Sequence, residues 1–360
     1  MRRKKKNIVP LLLLAVILLV IGVVVGVKVW NGEGEEAKVI FTTGFEENEL
    51  FRIGDLSCTK SEFMVYLTNT QNQYENVYGS EIWNVTHNDM TLEENIMETV
   101  LAKIAQIKSM YLLAEEKDVV LSEEEKLLLE QAAEAYYSSL TEKEVQAMGI
   151  TKATVLGLYQ EYACAEKVYQ QIIGGVNPEI SDDEARTITV EHILIKTYTT
   201  DGTGQRIAFS EERKQRAYVT AQEILALATD GENDFALLAA EYSEDATVRY
   251  SFGKGEVDAV FEAAAFNLAT DEISGIVETE SGYEIIKCIS TFDREETDAN
   301  KIKIVEKRKN EAFGAEYDAF VGRLARRLNE KLWSNISMIE DEEVKTDDFF
   351  AVYHEYFDEK

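Results

Sequence analysis

Apolar side chains run without a charged residue from Ile8 to Val27, long enough as a helix to cross the roughly 30 Å hydrocarbon core of a bilayer. Arg2, Arg3, Lys4, Lys5 and Lys6 precede the run and Trp30 follows it. That order predicts an uncleaved signal anchor, with a cytoplasmic stub at 1–7, a transmembrane helix at 8–27, and everything beyond it extracytoplasmic. Residues 28–50 read as a tether. A short apolar stretch from Leu50 to Leu56 then leads into a helical block. Thr59 and Glu62, Thr91 and Glu94, Ser122 and Glu125, Thr141 and Glu144, and Ser181 and Glu184 each set a hydroxyl three residues before a carboxylate, the capping box that starts a helix. Behind Thr91, Ile96, Val100, Ile104, Ile107, Tyr111 and Ala114 recur in steps of three and four, the stripe of an amphipathic helix. Behind Thr151, Leu158, Tyr162, Ala165, Val168 and Ile172 do the same up to the stop at Gly174 and Gly175.

After Pro178 the period changes. Thr187 to Lys196 alternates and is β-branched, so it predicts a strand with Ile188, Val190, His192 and Leu194 on one face. Helices are expected over Ser210–Ala228, Asp234–Tyr242 and Ala259–Phe266. Strands are expected over Ile273–Thr279 and Tyr283–Ser290, joined through Glu280, Ser281 and Gly282. A helical period resumes after Asp298 through Ile304, Phe313, Tyr317, Phe320, Leu324 and Leu328. The expected architecture is α+β: a compact unit at 185–292, with a small antiparallel or mixed sheet and helices, inserted in a discontinuous all-helical domain made of 51–184 and a returning helix at 293–335. An acidic, aromatic tail at 336–360 is left open between a strand, a helix and a mobile segment.

Charge narrows the function. The chain carries 37 Lys and Arg against 67 Asp and Glu, a net −30, which repels a phosphate backbone instead of releasing its counterions; nucleic acid is excluded as a partner. Cys58, Cys164 and Cys288 show neither CxxC spacing nor a nearby histidine cluster, so no metal site and no disulfide framework is expected. There is no Ser-His-Asp set, Walker loop, HExxH or GxGxxG in a βαβ setting, and Gly253, Lys254 and Gly255 read as a turn. Of the three histidines, His87, His192 and His354, only His192 lies in a patterned strand.

Four stretches in order, Val190-Glu-His-Ile-Leu, Asp234-Phe-Ala-Leu-Leu-Ala-Ala-Glu-Tyr-Ser-Glu-Asp, Phe261-Glu-Ala-Ala-Ala-Phe and Ser274-Gly-Ile-Val-Glu-Thr-Glu-Ser-Gly-Tyr-Glu-Ile-Ile, resemble the parvulin family of peptidyl-prolyl isomerases. The flanking helices resemble the chaperone domain of PrsA-type extracytoplasmic foldases. The resemblance implies that His192 is the first active-site histidine, Asp245 the Cys or Asp beside it, and Phe261 the aromatic wall of the proline pocket. Thr279 and Ser281 match polar groups near the reacting amide, and Val257 and Phe266 add apolar wall. Glu284 stands where the family carries its second histidine, Val257 where it carries a methionine, and the Gly-Gly-Asp-Leu-Gly stretch is shortened between Asp245 and Phe252.

The implied reaction makes and breaks no bond. It lowers an amide rotation barrier of about 18–20 kcal/mol by gripping the proline ring and favouring the twisted state, so no cofactor is needed. Glu284 near His192 favours imidazolium by charge. The implied partners are unfolded or newly exported polypeptides with Xaa-Pro bonds, and the lipid bilayer through the N-terminal helix; self-association into a homo-oligomer is left open. A second reading, motivated by Glu284, Val257 and the shortened segment, is a holdase that binds unfolded clients without isomerising them. In either case the acidic surface predicts that basic client peptides bind more tightly than acidic ones at low salt and that the difference shrinks as salt rises. Titration of a matched acidic and basic peptide pair at two ionic strengths checks this; equal affinities at low salt would refute it.

Overall fold

The computed structural model describes residues 44–87 and 90–357. The expected membrane helix at 8–27, and most of the tether, lie outside them; among the described residues no helix is long and apolar enough to cross a membrane. In chain order the elements are β1 (Glu49–Ile53), β2 (Leu56–Thr59), α1 (Lys60–Tyr78), β3 (Thr86–His87), β4 (Met90–Thr91), α2 (Leu92–Glu116), α3 (Glu123–Ser139), α4 (Glu142–Met148), α5 (Lys152–Gly174), β5 (Thr187–Lys196), β6 (Tyr198–Thr200), β7 (Arg206–Ala208), α6 (Glu211–Thr229), α7 (Phe235–Tyr242), β8 (Arg249–Gly253), α8 (Ala259–Phe266), β9 (Val277–Glu278), β10 (Gly282–Ser290), α9 (Arg294–Val321), β11 (Arg326–Leu328), α10 (Glu330–Trp333) and α11 (Phe349–Phe357). The described residues divide into two compact units, one of those up to Gly175 together with those from Ala312 on, and one of Val176–Glu311.

In the first unit the capping boxes at Thr59, Thr91, Ser122 and Thr141 all close, with the hydroxyl accepting from the N3 amide and the N3 carboxylate accepting from the cap amide. The helices they start bury a core that includes Phe63, Leu67, Ile104, Leu129, Val155 and Leu158. One charge is sealed within it: the Lys108 ammonium, fully buried, donates to Glu62 at 3.0 Å and to Glu161 at 2.7 Å, tying α1, α2 and α5 together. The tail packs as a helix. Phe349 stacks on Tyr159 with ring centroids 4.6 Å apart, its amide donates to Asn69 and its carbonyl accepts from the Tyr159 hydroxyl.

Several expectations need correction. Glu49 and Leu50 are buried in β1 and do not belong to a tether, because β1 and β2 form a hairpin through Gly54, at φ 55°. The returning helix ends at Val321, where Gly322 follows; Leu328 is not helical but lies in β11, opposite Phe51 of β1. Ser181 accepts from the Glu184 amide yet starts only a turn, since the strand at Thr187 follows too closely for a helix. The second unit is also wider than 185–292. Asn300 of α9 donates to the Ala185 carbonyl at 3.0 Å, and the Thr187 amide donates to Thr297 at 3.1 Å.

That second unit is built on a four-stranded antiparallel sheet in the order β8-β5-β10-β9. Nine of the ten residues of β5 are buried, so both faces of the sheet are covered. Ile193, Ile195, Tyr283 and Ile285 pack against Ile224 of α6 and Phe235 and Leu238 of α7. Ile188, Val190, Ile286 and Cys288 pack on the opposite face against Phe252 of β8 and Phe261 and Ala265 of α8. The strand expected over Ile273–Thr279 shrinks to Val277–Glu278, because the Ser274 hydroxyl takes the Ile286 amide in place of a ladder carbonyl, at 2.9 Å. The strand β8 was not expected at all.

Replacing Phe349, whose side chain is completely buried, by alanine should destabilise the first unit by about 3–5 kcal/mol, the usual cost of emptying an aromatic site. Urea unfolding of the full chain measures it, and a loss below about 1 kcal/mol would show that the tail is not part of this core.

Candidate active site

The face of the sheet beneath α8 carries the candidate chemistry. On β5, His192 alternates with Val190, and on β10 the residue opposite His192 is Ile286. Glu284, two residues along β10, therefore projects from the same face at the diagonal position. Its Oε2 lies 2.9 Å from Nδ1 of His192. Nε2 of the same ring lies 2.9 Å from the Thr247 carbonyl oxygen. A carbonyl only accepts, so Nε2 carries a proton, and the carboxylate accepts on the other side. Both nitrogens are thus committed as donors, and the ring is held as an imidazolium paired with Glu284 by a charge-assisted hydrogen bond.

Both partners are buried, His192 at 2% exposure and the Glu284 side chain at 7%. Burial alone would depress the imidazolium. The Glu284 hydrogen bond and charge, the Thr247 carbonyl and the Asp245 charge oppose it, and the net effect raises the His192 pKa above its ordinary value. Asp245 is the exposed member, with Oδ2 at 3.8 Å from Nε2. Its Oδ1 accepts from the Thr247 amide at 3.2 Å, which braces the loop that offers the Thr247 carbonyl to the ring.

Aromatic rings close the other side. Phe261 stands edge-on to His192 with centroids 5.7 Å apart and is 3% exposed. Tyr250 of β8 is also edge-on to His192, at 5.3 Å, and nearly parallel to Phe261 at 6.1 Å. Val257 packs partly buried in the same cluster. The structure therefore brings His192, Glu284, Asp245, Phe261 and Val257 together. It does not bring the other three to the imidazole. The Phe266 ring neighbours Phe252 at 5.8 Å and lies under the Arg186 guanidinium at 4.8 Å. Thr279 and Ser281 are engaged in the turn before β10, where Thr279 Oγ1 donates to the Gly282 carbonyl and accepts from the Ser281 amide. Neither hydrogen-bonds to the His192 group.

Two residues at this site were missed in the sequence. Thr247 acts through its backbone carbonyl, which leaves no mark in a side-chain pattern. Tyr250 did leave one: Arg249–Gly253 alternates, with Tyr250 and Phe252 two apart and a glycine at the end, the form of a short edge strand.

The family model for rotamases, described as a PPIC-type PPIase domain, matches residues 192–290, from His192 to the end of β10. The chain is similar to the foldase protein PrsA of Caldanaerobacter subterraneus subsp. tengcongensis, 26% identical over 275 residues that make up 73% of this chain and 81% of that protein. It is similar also to the foldase protein PrsA of Halalkalibacterium halodurans, 30% identical over 241 residues, 63% of this chain and 67% of that protein. A crystal structure of the peptidylprolyl isomerase PrsA from Bacillus cereus aligns with 76% of this chain and 99% of that chain at 20% identity and a TM-score of 0.32, too loose a superposition to add to the sequence matches.

The raised pKa of His192 has a sign. Its contribution to stability is complete below the ordinary histidine pKa of about 6.5 and is lost as pH rises through the higher folded value. Melting temperatures of the full chain from pH 6 to 9 should show that loss, and Glu284→Gln should remove it while lowering the His192 pKa read by NMR. A wild-type His192 that titrates at or below its ordinary value would contradict the paired imidazolium.

Proposed function

The chain belongs to the PrsA foldase family and is a parvulin-type peptidyl-prolyl cis-trans isomerase, and from that premise we propose that it is held at the outer face of the cell membrane by the segment 8–27 and assists the folding of exported proteins. The unit that contains His192 isomerises Xaa-Pro bonds, and the helical residues on either side of it in the chain cradle the unfolded client. The observation that carries the reading is the convergence of His192, Glu284, Asp245 and Phe261 on one face of the β5–β10 pair, inside the stretch matched by the isomerase family model.

The roles follow from the contacts. Phe261 and Val257 supply apolar wall for the proline ring. Because both N–H groups of His192 are already engaged, the ring positions and polarises the site and does not itself donate to the substrate amide. Asp245, 44% exposed, is the charged group that faces a bound chain. Thr279 and Ser281 border the substrate path from the turn before β10, and Phe266 stiffens the wall from behind through Phe252. Rotation about the amide needs no proton transfer, so an imidazolium locked between two acceptors is compatible with the reaction.

The near-complete burial of Phe261 and His192 favours a second reading, a holdase that keeps the fold as a binding module. NMR exchange on a Xaa-Pro peptide separates the two, since uncatalysed exchange takes tens of seconds or longer. The full chain should accelerate exchange, and Phe261→Ala should reduce kcat/KM at least about tenfold, the cost of roughly 1.4 kcal/mol of transition-state grip. No acceleration with several residues before proline would leave the holdase.

A further inference from the structure

Four aromatic rings meet at the site, and three of them, His192, Phe252 and Phe261, are at most 3% exposed. The fourth, Tyr250, is half-buried and lies across both His192 and Phe261, perpendicular to the first and within 15° of parallel to the second. We propose that Tyr250 is the gate of the site: His192 and Phe261 touch each other edge-on, the Tyr250 ring covers that pair on the side where a prolyl ring would pack, and it swings outward before a Xaa-Pro segment is gripped. The proposal rests on the isomerase reading of this site.

The placement allows the motion. Tyr250 sits on β8, an edge strand whose only partner is β5, and the loop before it, from Glu244 to Thr247, is exposed. Among the described residues no hydrogen bond holds its hydroxyl, so the ring is kept in place by packing alone. Phe261, in contrast, is anchored on α8, whose cap Asp258 accepts from the amides of Val260 and Phe261 at 3.0 Å each. His192 is tied at both nitrogens. Phe252 shares the edge strand but is 2% exposed, so Tyr250 is the one ring of the four that is neither anchored nor fully covered. Its departure uncovers the rings of Phe261 and His192 together, with Asp245 exposed beside Nε2 of His192.

A closed majority state lowers apparent affinity by the fraction of open molecules. With about one molecule in ten open, removing the ring tightens binding of a Xaa-Pro tetrapeptide about tenfold. The full chain, Tyr250→Val and Tyr250→Phe are compared by peptide Kd from NMR shifts and by cis/trans exchange. Tyr250→Val, which removes the ring but retains a residue that favours a strand, should lower Kd and KM about tenfold, and Tyr250→Phe, which keeps the ring, should stay within about twofold of the parent. Unchanged or weaker binding by Tyr250→Val would overturn the gate, and so would Tyr250→Phe behaving like Tyr250→Val. Tighter binding by Tyr250→Val with no exchange in any protein would keep the gate and defeat the isomerase reading. If Tyr250→Val does not fold, the parent chain labelled with 3-fluorotyrosine decides: the resonance missing from Tyr250→Phe must shift on adding peptide, and a resonance that stays put refutes the gate.

Discussion

The register between β5 and β10 is the constraint on which the α+β unit depends. Both strands are central in the sheet and buried on both faces, so a slip of one residue would drive the Ile193 and Ile285 face onto the side of His192 and Glu284 and exchange apolar core for charge. Gly282 marks where the ladder begins. It pairs with Lys196 at φ 145°, and a Cβ there would run into the carbonyl of Ile195, so the strand closes at that point only because the position has no side chain. From this register the site follows without further adjustment. Ile286 faces His192, and Glu284 reaches the ring from the diagonal position at hydrogen-bond distance.

Burying an acid and a base together is costly unless each satisfies the other. Here a single proton arrangement meets every acceptor: Nδ1–H faces Glu284, Nε2–H faces the Thr247 carbonyl, and Asp245 adds negative potential from the rim. The two-histidine arrangement implied by the parvulin resemblance has one more titratable ring and one fewer carboxylate. Having Glu284 in place of that second histidine raises the His192 pKa and so favours its charged form to higher pH, and it ties the ring nitrogen that would otherwise be free to change donor for acceptor. For a reaction that twists an amide without moving a proton, that freedom is dispensable.

How much of this could be read from the chain depends on whether a feature is written in local spacing. The capping boxes at Thr59, Thr91, Ser122 and Thr141 formed because each is a self-contained exchange of two hydrogen bonds over four residues. The alternation of Thr187–Lys196 likewise became a strand. Where a distant partner decides, local period misled. Leu328 keeps step with the helix before it yet lies in a strand, because the free edge of β1 is available opposite Phe51. Ser181 makes only the first half of its box, accepting from the Glu184 amide, and has no room for a helix. At the site, the proximity of Glu284 to His192 was legible through the family resemblance, whereas the clamp from the Thr247 carbonyl was not, since backbone groups are the same at every residue. The placement of Thr279 and Ser281 in turn hydrogen bonds depends on how the chain reverses at Gly282, which motif order does not convey.

The sheet order also separates what must hold still from what is able to move. His192 and Glu284 belong to the two central strands, each with ladder partners on both sides. Tyr250 belongs to the edge strand β8, Asp245 to the loop before it, and Thr279 and Ser281 to the turn beyond the other edge strand, β9. Opening an edge breaks one ladder, while moving a central strand breaks two and uncovers both cores, so low-energy fluctuations are confined to the rim. A polypeptide substrate needs that division. On the proposed function the buried pair keeps its field while chains of different sequence pass, and the groups at the rim yield to their shape. Placing the charge pair at the centre and the aromatic and acidic contacts at the edges satisfies both demands within a sheet of four strands.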